Sequence, residues 1–137
     1  MVEIKNLTAF PIDKSFFKKI VKVILKKEEK KGNLSIVLLR PKEIKRLNKK
    51  FLGKNRVTDV LSFGQKPGFE FLDELGEIVI CPKKVKENSK RFSTGFKREL
   101  AMVLVHGLLH LLDYDHEKKK EKKIMEEKEK FYLNTIF

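Results

Sequence analysis

The 137-residue chain has little of what marks disulfide-rich or membrane proteins. A single cysteine, Cys81, excludes an intramolecular disulfide, and this is consistent with the reducing environment of a cytoplasm. The longest apolar run, residues 100–105, is far shorter than the roughly 18 residues that a membrane helix needs, so no membrane segment is expected. Residues 1–10 lack the basic stretch and apolar core of a signal peptide, so none is expected either.

Positive charge, by contrast, is abundant. The chain has 32 lysines and arginines against 19 aspartates and glutamates, a net charge of +13. This excess favours polyanionic partners such as nucleic acids. It also fits the lysine-rich surface of a thermophile protein, and composition alone does not separate the two interpretations. The length predicts one domain, residues 1–137.

Strand and helix patterns alternate along the chain. Strands are predicted at residues 2–7, 34–39, 57–63 and 76–81, and helices are predicted to begin near Asp13, Pro41, Pro82, Phe96 and Glu117. This order predicts an α/β fold of the α+β type: a single layered domain with a small mixed four-stranded sheet and about five helices. The helical connections allow parallel pairing of the first three strands. The shorter connection 64–75 favours an antiparallel, hairpin-like entry for the fourth strand.

Several residues predict where helices begin, end or pack. Asp13 is a candidate N-cap of the first helix, and Gly53 is a candidate terminator of the second. Ser93 and Thr94 offer hydroxyl caps to the fourth helix. The run at residues 34–39 is apolar throughout, which predicts a strand buried on both faces. The last helix is expected to run to about residue 132 and to pack through the stripe Ile124, Met125, Lys128 and Phe131.

All three histidines lie within residues 106–116. His106 and His110 are four apart, so on a helix they share one face, one turn apart. His116 comes six residues later, so the helix must break for its imidazole to return. Asp113 stands at that break and tolerates positive φ. Three imidazoles at this spacing predict a metal site on the helix of His106 and His110, with zinc the expected ion; nickel, copper and cobalt stay open. The alternative is that the histidines are scattered core or surface residues.

The spacing of the histidines equals that of HExxHxxGxxH, the signature of the metzincin proteases. Gly107, however, stands where those proteases have their glutamate base. The run HGLLHLLDYDH instead resembles the signature HGxLHLxGYDH of the YbeY family, and it differs from the fixed positions only at Asp113. Three further segments resemble the family pattern: residues 47–51 (LNKKF), 58–63 (TDVLSF) and 76–81 (GEIVIC).

This resemblance implies an endoribonuclease that cuts single-stranded RNA in ribosomal RNA maturation, at the 3′ end of the small-subunit RNA, and in ribosome quality control. It implies a cytoplasmic protein whose partners include ribosomal RNA and a ribosomal subunit or ribosomal proteins. One departure bears on activity: Leu52 stands where the family usually has an arginine. Arg56, four residues later, is a candidate substitute for binding phosphate, and the alternative is an ordinary surface residue.

The expected chemistry uses one zinc ion held by His106, His110 and His116. Such an ion would lower the pKa of a bound water toward ~7 and polarise a phosphoryl oxygen. The nucleophile is either that water or the 2′-hydroxyl of the RNA. Asp115 and Asp59 are the candidate general bases, although Asp115 can instead orient a histidine.

Substrate contacts are expected from Ser62, which can equally be a satisfied strand serine, and from basic residues before the metal helix. These are Lys83, Lys84, Lys86, Lys90, Arg91, Lys97 and Arg98. The side chains expected to stack on unpaired bases are Phe63, Phe69 and Phe71, and Phe63 also suits the core.

The sequence leaves two other functions open. One is a metallohydrolase of another substrate, such as a peptide, and the missing glutamate at Gly107 argues against it. The other is a non-catalytic, ribosome-associated RNA-binding protein whose metal only braces the fold. Leu52 keeps that alternative open.

Overall fold

The computed structural model describes residues 1–64, 73–114 and 118–137. Its elements are β1 Val2–Asn6, α1 Lys14–Lys27, β2 Asn33–Leu38, α2 Pro41–Leu52, β3 Val60–Gly64, β4 Glu74–Ile80, α3 Pro82–Arg91, α4 Phe96–Leu111 and α5 Lys119–Ile136. The predicted α+β fold with a mixed four-stranded sheet and five helices is confirmed. Within the described ranges, no helix is both long and apolar enough to cross a membrane.

The sheet has the strand order β1-β2-β4-β3. β1 and β2 pair in parallel, β2 and β4 pair in parallel, and β3 runs antiparallel to β4. The predicted antiparallel entry of the fourth strand is confirmed, whereas the predicted parallel pairing of the third strand was wrong. The short connection between β3 and β4 makes the two strands a hairpin, and a hairpin pair is antiparallel. Because β4 runs parallel to β2, β3 must run against the other three strands.

The main core lies on one face of the sheet. Leu34, Ile36 and Leu38 of β2 are buried there, as are Ile78 and Ile80 of β4. Residues of α1, α4 and α5 complete this core, including Phe17, Ile20, Leu104, Leu108 and Tyr132. The packing makes α4 a central helix, so its functional side chains stand on a rigid support.

A smaller cluster covers the opposite face of the sheet. It joins Ile44 of α2 to Leu61, Val79, Leu39 and the fully buried Cys81. β2 was predicted to be buried on both faces, but its residues alternate between buried and half-buried. The second face of β2 is only half-buried because the cover on that side is small.

Most of the predicted helix ends are confirmed. The Asp13 carboxylate accepts a hydrogen bond from the amide of Phe16 at 3.2 Å, as an N-cap does. Gly53 ends α2 with φ 70°, a left-handed conformation that glycine adopts without strain. The predicted hydroxyl caps of α4 were wrong: Gly95 is its N-cap, and the Thr94 hydroxyl donates instead to Glu99 Oε1 at 2.6 Å.

The packing stripe of α5 was predicted only in part. Met125 is buried, but Ile124 and Phe131 are 42% and 47% exposed, and Tyr132 and Leu133 occupy the core instead. The helix is rotated to this face because Tyr132 donates a hydrogen bond to the buried carboxylate of Glu28.

Candidate active site

The paired histidines stand on α4, which is apolar on most of its circumference. Leu104, Val105, Leu108 and Leu109 are fully buried, which fixes the helix against the sheet and its neighbouring helices. The rings of His106 and His110 lie parallel, with an interplanar angle of 5° and centroids 6.5 Å apart. The predicted placement of the two imidazoles on one face is therefore confirmed.

The helix ends where the histidine spacing requires it to end. α4 stops at Leu111, and Asp113 has φ 73°, the positive φ expected at this position. The predicted third ligand, His116, and the candidate base Asp115 lie outside the described residues, as do Phe69 and Phe71. Within residues 1–64, 73–114 and 118–137, no group of three metal-ligating side chains is present.

Gly107 lies where α4 presses most closely on the sheet. A Cβ at this position would stand 3.0 Å from Ser62 Oγ and 3.2 Å from Ile78 Cγ2. Ser62 Oγ also donates a hydrogen bond to the Gly107 carbonyl at 3.2 Å. There is no room for a longer side chain, so the helix cannot hold the glutamate base of the zinc peptidases at this position.

A carboxylate on α5 contacts the first histidine. Glu129 Oε1 lies 2.9 Å from His106 Nδ1. This hydrogen bond is the main cause that raises the pKa of His106, and it outweighs the opposing effect of burial. Sequence reasoning missed Glu129, because nothing in the spacing of the last helix indicates which of its many glutamates reaches α4.

A cavity of about 370 Å³ opens beside His106. Its walls are formed by Thr58, Asp59, Val60, Glu99, Met102, Val103, His106 and Glu129. Asp59, one of the two candidate bases, therefore shares a cavity with the first histidine. The volume lies within the range of small-ligand sites in proteins.

None of the four predicted substrate-binding residues, Arg56, Ser62, Lys97 and Arg98, lines this cavity. Ser62 lies against α4, where its hydroxyl bonds the helix backbone. Arg56 is exposed in the connection between α2 and β3. Lys97 Nζ lies 4.5 Å from the centre of the Phe16 ring, and Arg98 lies over Phe137.

The helix geometry separates the two basic residues from the histidines. At 1.5 Å per residue, Lys97 and Arg98 precede His106 by about 14 and 12 Å along α4. The basic residues of α3 are on the surface, with Lys83, Lys86, Lys90 and Arg91 exposed. A contact from Lys97 or Arg98 would therefore fall on RNA that extends well beyond the bond next to the histidines.

The fold matches that of a solved bacterial protein. A solution structure of a Thermotoga maritima protein aligns with a TM-score of 0.73 and 36% sequence identity, over 99% of this chain and 89% of the other. An agreement of this extent covers the sheet, the helices and the helix that carries the histidines.

Sequence comparison identifies the family. The family model described as Endoribonuclease YbeY matches residues 3–136. Endoribonuclease YbeY of Thermotoga maritima is 44% identical over 115 residues, which covers 83% of this chain and 74% of the relative. The protein of the same name from Bdellovibrio bacteriovorus is 44% identical over 97 residues, which covers 70% of this chain and 61% of the relative. The chain belongs to the Endoribonuclease YbeY family.

Proposed function

We propose that this endoribonuclease cuts single-stranded RNA with one zinc ion held by His106, His110 and His116. Membership of the family supports the cleavage of RNA at internal phosphodiester bonds. The parallel arrangement of the His106 and His110 rings on one face of a buried helix carries the metal part of the proposal.

The donor set fits zinc. Neutral imidazole nitrogens are among its preferred ligands, and a catalytic zinc site commonly has three protein ligands. His106 and His110 supply two such nitrogens from adjacent turns of one helix, and His116 follows after the turn at Asp113. When bound, the ion would supply Lewis-acid polarisation of the phosphate group. Nickel, copper and cobalt stay as alternatives because they also accept imidazole.

The carboxylates near His106 divide into different roles under this proposal. Glu99 accepts a hydrogen bond from Thr94, and Glu129 is hydrogen-bonded to His106. Asp59 lies in the wall of the same cavity, on the segment that leads into β3, and it is the described carboxylate that we assign to accept the proton of the nucleophile. That nucleophile is water or the 2′-hydroxyl of the RNA. Asp115 is the alternative acceptor.

Charge and exposed aromatic surface favour an unpaired RNA substrate. A net charge of +13 attracts phosphates from a distance. Phe51 is 57% exposed at the end of α2, and Lys50 lies over its ring. An exposed aromatic beside cations suits a stacked, unpaired base. We propose ribosomal RNA as the substrate, with 3′-end maturation of the small-subunit RNA as the step. The cytoplasm would then be the compartment and a ribosomal subunit or its proteins the partners.

One observation keeps a non-catalytic role as a second candidate. Leu52, where the family usually has arginine, is 54% exposed and cannot donate to a phosphate. A protein that binds ribosomal RNA and uses its metal only to brace the fold would tolerate this residue.

Cleavage of an end-labelled RNA tests the proposal. The single strand should be cut by the purified protein, cutting should stop when a chelator removes the metal, and zinc should restore it. The same sequence in a duplex should be cut far less. Cutting that continues in the chelator would contradict the metal part of the proposal. Tight RNA binding without any cleavage by zinc-loaded, folded protein would favour the non-catalytic alternative.

A further inference from the structure

A side chain of α5 that is not one of the three predicted metal ligands contacts His106. His106 is half-buried on α4, and its Nδ1 lies 2.9 Å from Glu129 Oε1, twenty-three residues further along the chain. The side chain of Glu129 is 25% exposed, so the bond is partly shielded from water. A charge-assisted hydrogen bond of this length is stronger than a bond between neutral groups.

The bond determines which ring nitrogen of His106 carries hydrogen. A carboxylate can only accept hydrogen bonds, so Nδ1 must be the nitrogen that donates. In a neutral imidazole, Nε2 then holds the lone pair that a metal ion requires. Glu129 therefore selects one of the two neutral forms of the ring and opposes its rotation about the Cβ–Cγ bond.

A second carboxylate fixes the helix that carries Glu129. Glu28 caps the C-terminus of α1, and its side chain is only 7% exposed. It accepts hydrogen bonds from Tyr132 Oη and from Lys128 Nζ, the latter at 3.1 Å. Lys128 directly precedes Glu129, and Tyr132 follows it by three residues. These two bonds set the rotation of α5, so Glu129 is held towards His106 before any metal binds.

The connection between α4 and α5 is attached to the same carboxylate. Tyr114 Oη donates to Glu28 Oε1 at 2.5 Å. Glu28 thus ties α1 to α5 and to the segment that follows the Asp113 turn. The Glu28 carboxylate therefore connects the segment after α4 to the helix that carries Glu129.

We propose that Glu129 is a positioning residue that holds His106 in the form that binds the metal, and that the packing of α5 against α1 holds Glu129 in place. The inference rests on the proposed function, because it concerns the same metal site. A partner of this kind raises the basicity of a ligating histidine and fixes its direction, and its loss typically weakens metal affinity by about 10- to 100-fold.

The first test is the zinc affinity of two substitutions, measured by competition with a chromophoric chelator. Glu129→Ala should weaken zinc binding by about 10- to 100-fold. Glu129→Gln should lose less, because an amide oxygen still accepts from Nδ1 but carries no charge. The matched control is Glu127→Ala, an exposed glutamate two residues away on the same helix, which should leave the affinity unchanged. Equal affinities for Glu129→Ala and Glu127→Ala would overturn the inference.

The second test needs no metal. Nitrogen-15 NMR of the histidine rings distinguishes the two neutral forms of His106 in the metal-free protein. The wild type should carry hydrogen on Nδ1, and Glu129→Ala, which leaves no acceptor at this position, should shift the ring towards a mixture. A wild-type ring that carries its hydrogen on Nε2 would overturn the inference even if Glu129→Ala failed to fold.

The two measurements also separate this inference from the proposed function. If the wild type binds no zinc, the proposed metal site fails, and the NMR result alone decides the role of Glu129. If the wild type binds zinc and both Glu129 variants bind zinc as tightly as the wild type does, the role of Glu129 fails and the metal site stands.

Discussion

Replacing Gly107 with alanine tests how tightly the histidine helix is seated on the sheet. In an open helix this change stabilises by about 1 kcal/mol, because alanine is the better helix former. Here the new Cβ would meet Ser62 Oγ at 3.0 Å and Ile78 Cγ2 at 3.2 Å. Ile78 is fully buried in the central strand β4, and Ser62 is bonded to the Gly107 carbonyl, so neither atom can move away easily.

Overpacking of this kind costs about 1–3 kcal/mol, which exceeds the gain in helix propensity. We therefore expect Gly107→Ala to destabilise the protein by about 1 kcal/mol, or about 3–5 °C in the melting temperature of a chain of this size. Urea unfolding monitored by circular dichroism measures the change.

A double substitution locates the cause. Ser62→Ala removes the atom at 3.0 Å, so it should lower the cost of Gly107→Ala, and the two effects should not add. A Gly107→Ala protein that is more stable than the wild type would refute the close packing of α4 against β3 and β4. Strictly additive effects would refute the role of Ser62 in that packing.

Three further predictions follow from single features of the structure. Burial by itself raises the pKa of Glu28, but the hydrogen bonds from Tyr114, Tyr132 and Lys128 outweigh it and lower that pKa. The stability that Glu28 contributes is therefore complete above pH 4.5, the ordinary pKa of a glutamate, and it is lost as the pH falls through the lowered pKa of the folded protein. Glu28→Gln should therefore make the free energy of unfolding less dependent on pH below 4.5. Gly53→Ala should cost about 1 kcal/mol in urea unfolding, because φ is 70° and no atom lies near the added Cβ, so only backbone strain acts; an unchanged midpoint would contradict the left-handed cap. RNA affinity should fall with salt, with a log–log slope of about −0.7 per phosphate contacted, and a flat response would remove the electrostatic part of the binding proposal.

Elements with a strong local signal were predictable from the sequence. The Asp13 cap and the Gly53 terminator act through the backbone next to them, so their roles are visible in a few residues. The positive φ at Asp113 followed from the need to end the helix before His116. The shared face of His106 and His110 followed from helix geometry alone.

Features that depend on tertiary contacts were not predictable. The antiparallel pairing of β3 with β4 was predicted from their short connection, but no residue within the strands encodes the position of β4 between β2 and β3. The buried face of α5 is set by the contact of Tyr132 with Glu28, which are 104 residues apart. The contact of Glu129 with His106 was not predictable for the same reason, since only the packing of α5 against α4 selects this glutamate among its neighbours.

At Gly107 the sequence and the structure each supply part of the explanation. The sequence showed that the glutamate of the zinc peptidases was missing, which argued against peptide hydrolysis. The structure adds the physical reason: at Gly107 the backbone of α4 lies so close to Ser62 and Ile78 that even a Cβ makes tight contacts, so a glutamate side chain does not fit. A peptidase base at this position would require the helix to move away from the sheet.

The central claim is that the paired histidines hold the ion needed for RNA cleavage, and His110→Ala tests it most directly. His110 is exposed, so its loss should leave the fold intact. One preparation of each protein should be assayed for bound zinc, melting temperature and cleavage of the same single-stranded RNA. We predict that the wild type binds one zinc ion and cuts the RNA, whereas His110→Ala loses both zinc and cleavage but melts as the metal-free wild type does. Undiminished cleavage by a zinc-free His110→Ala protein would contradict the account.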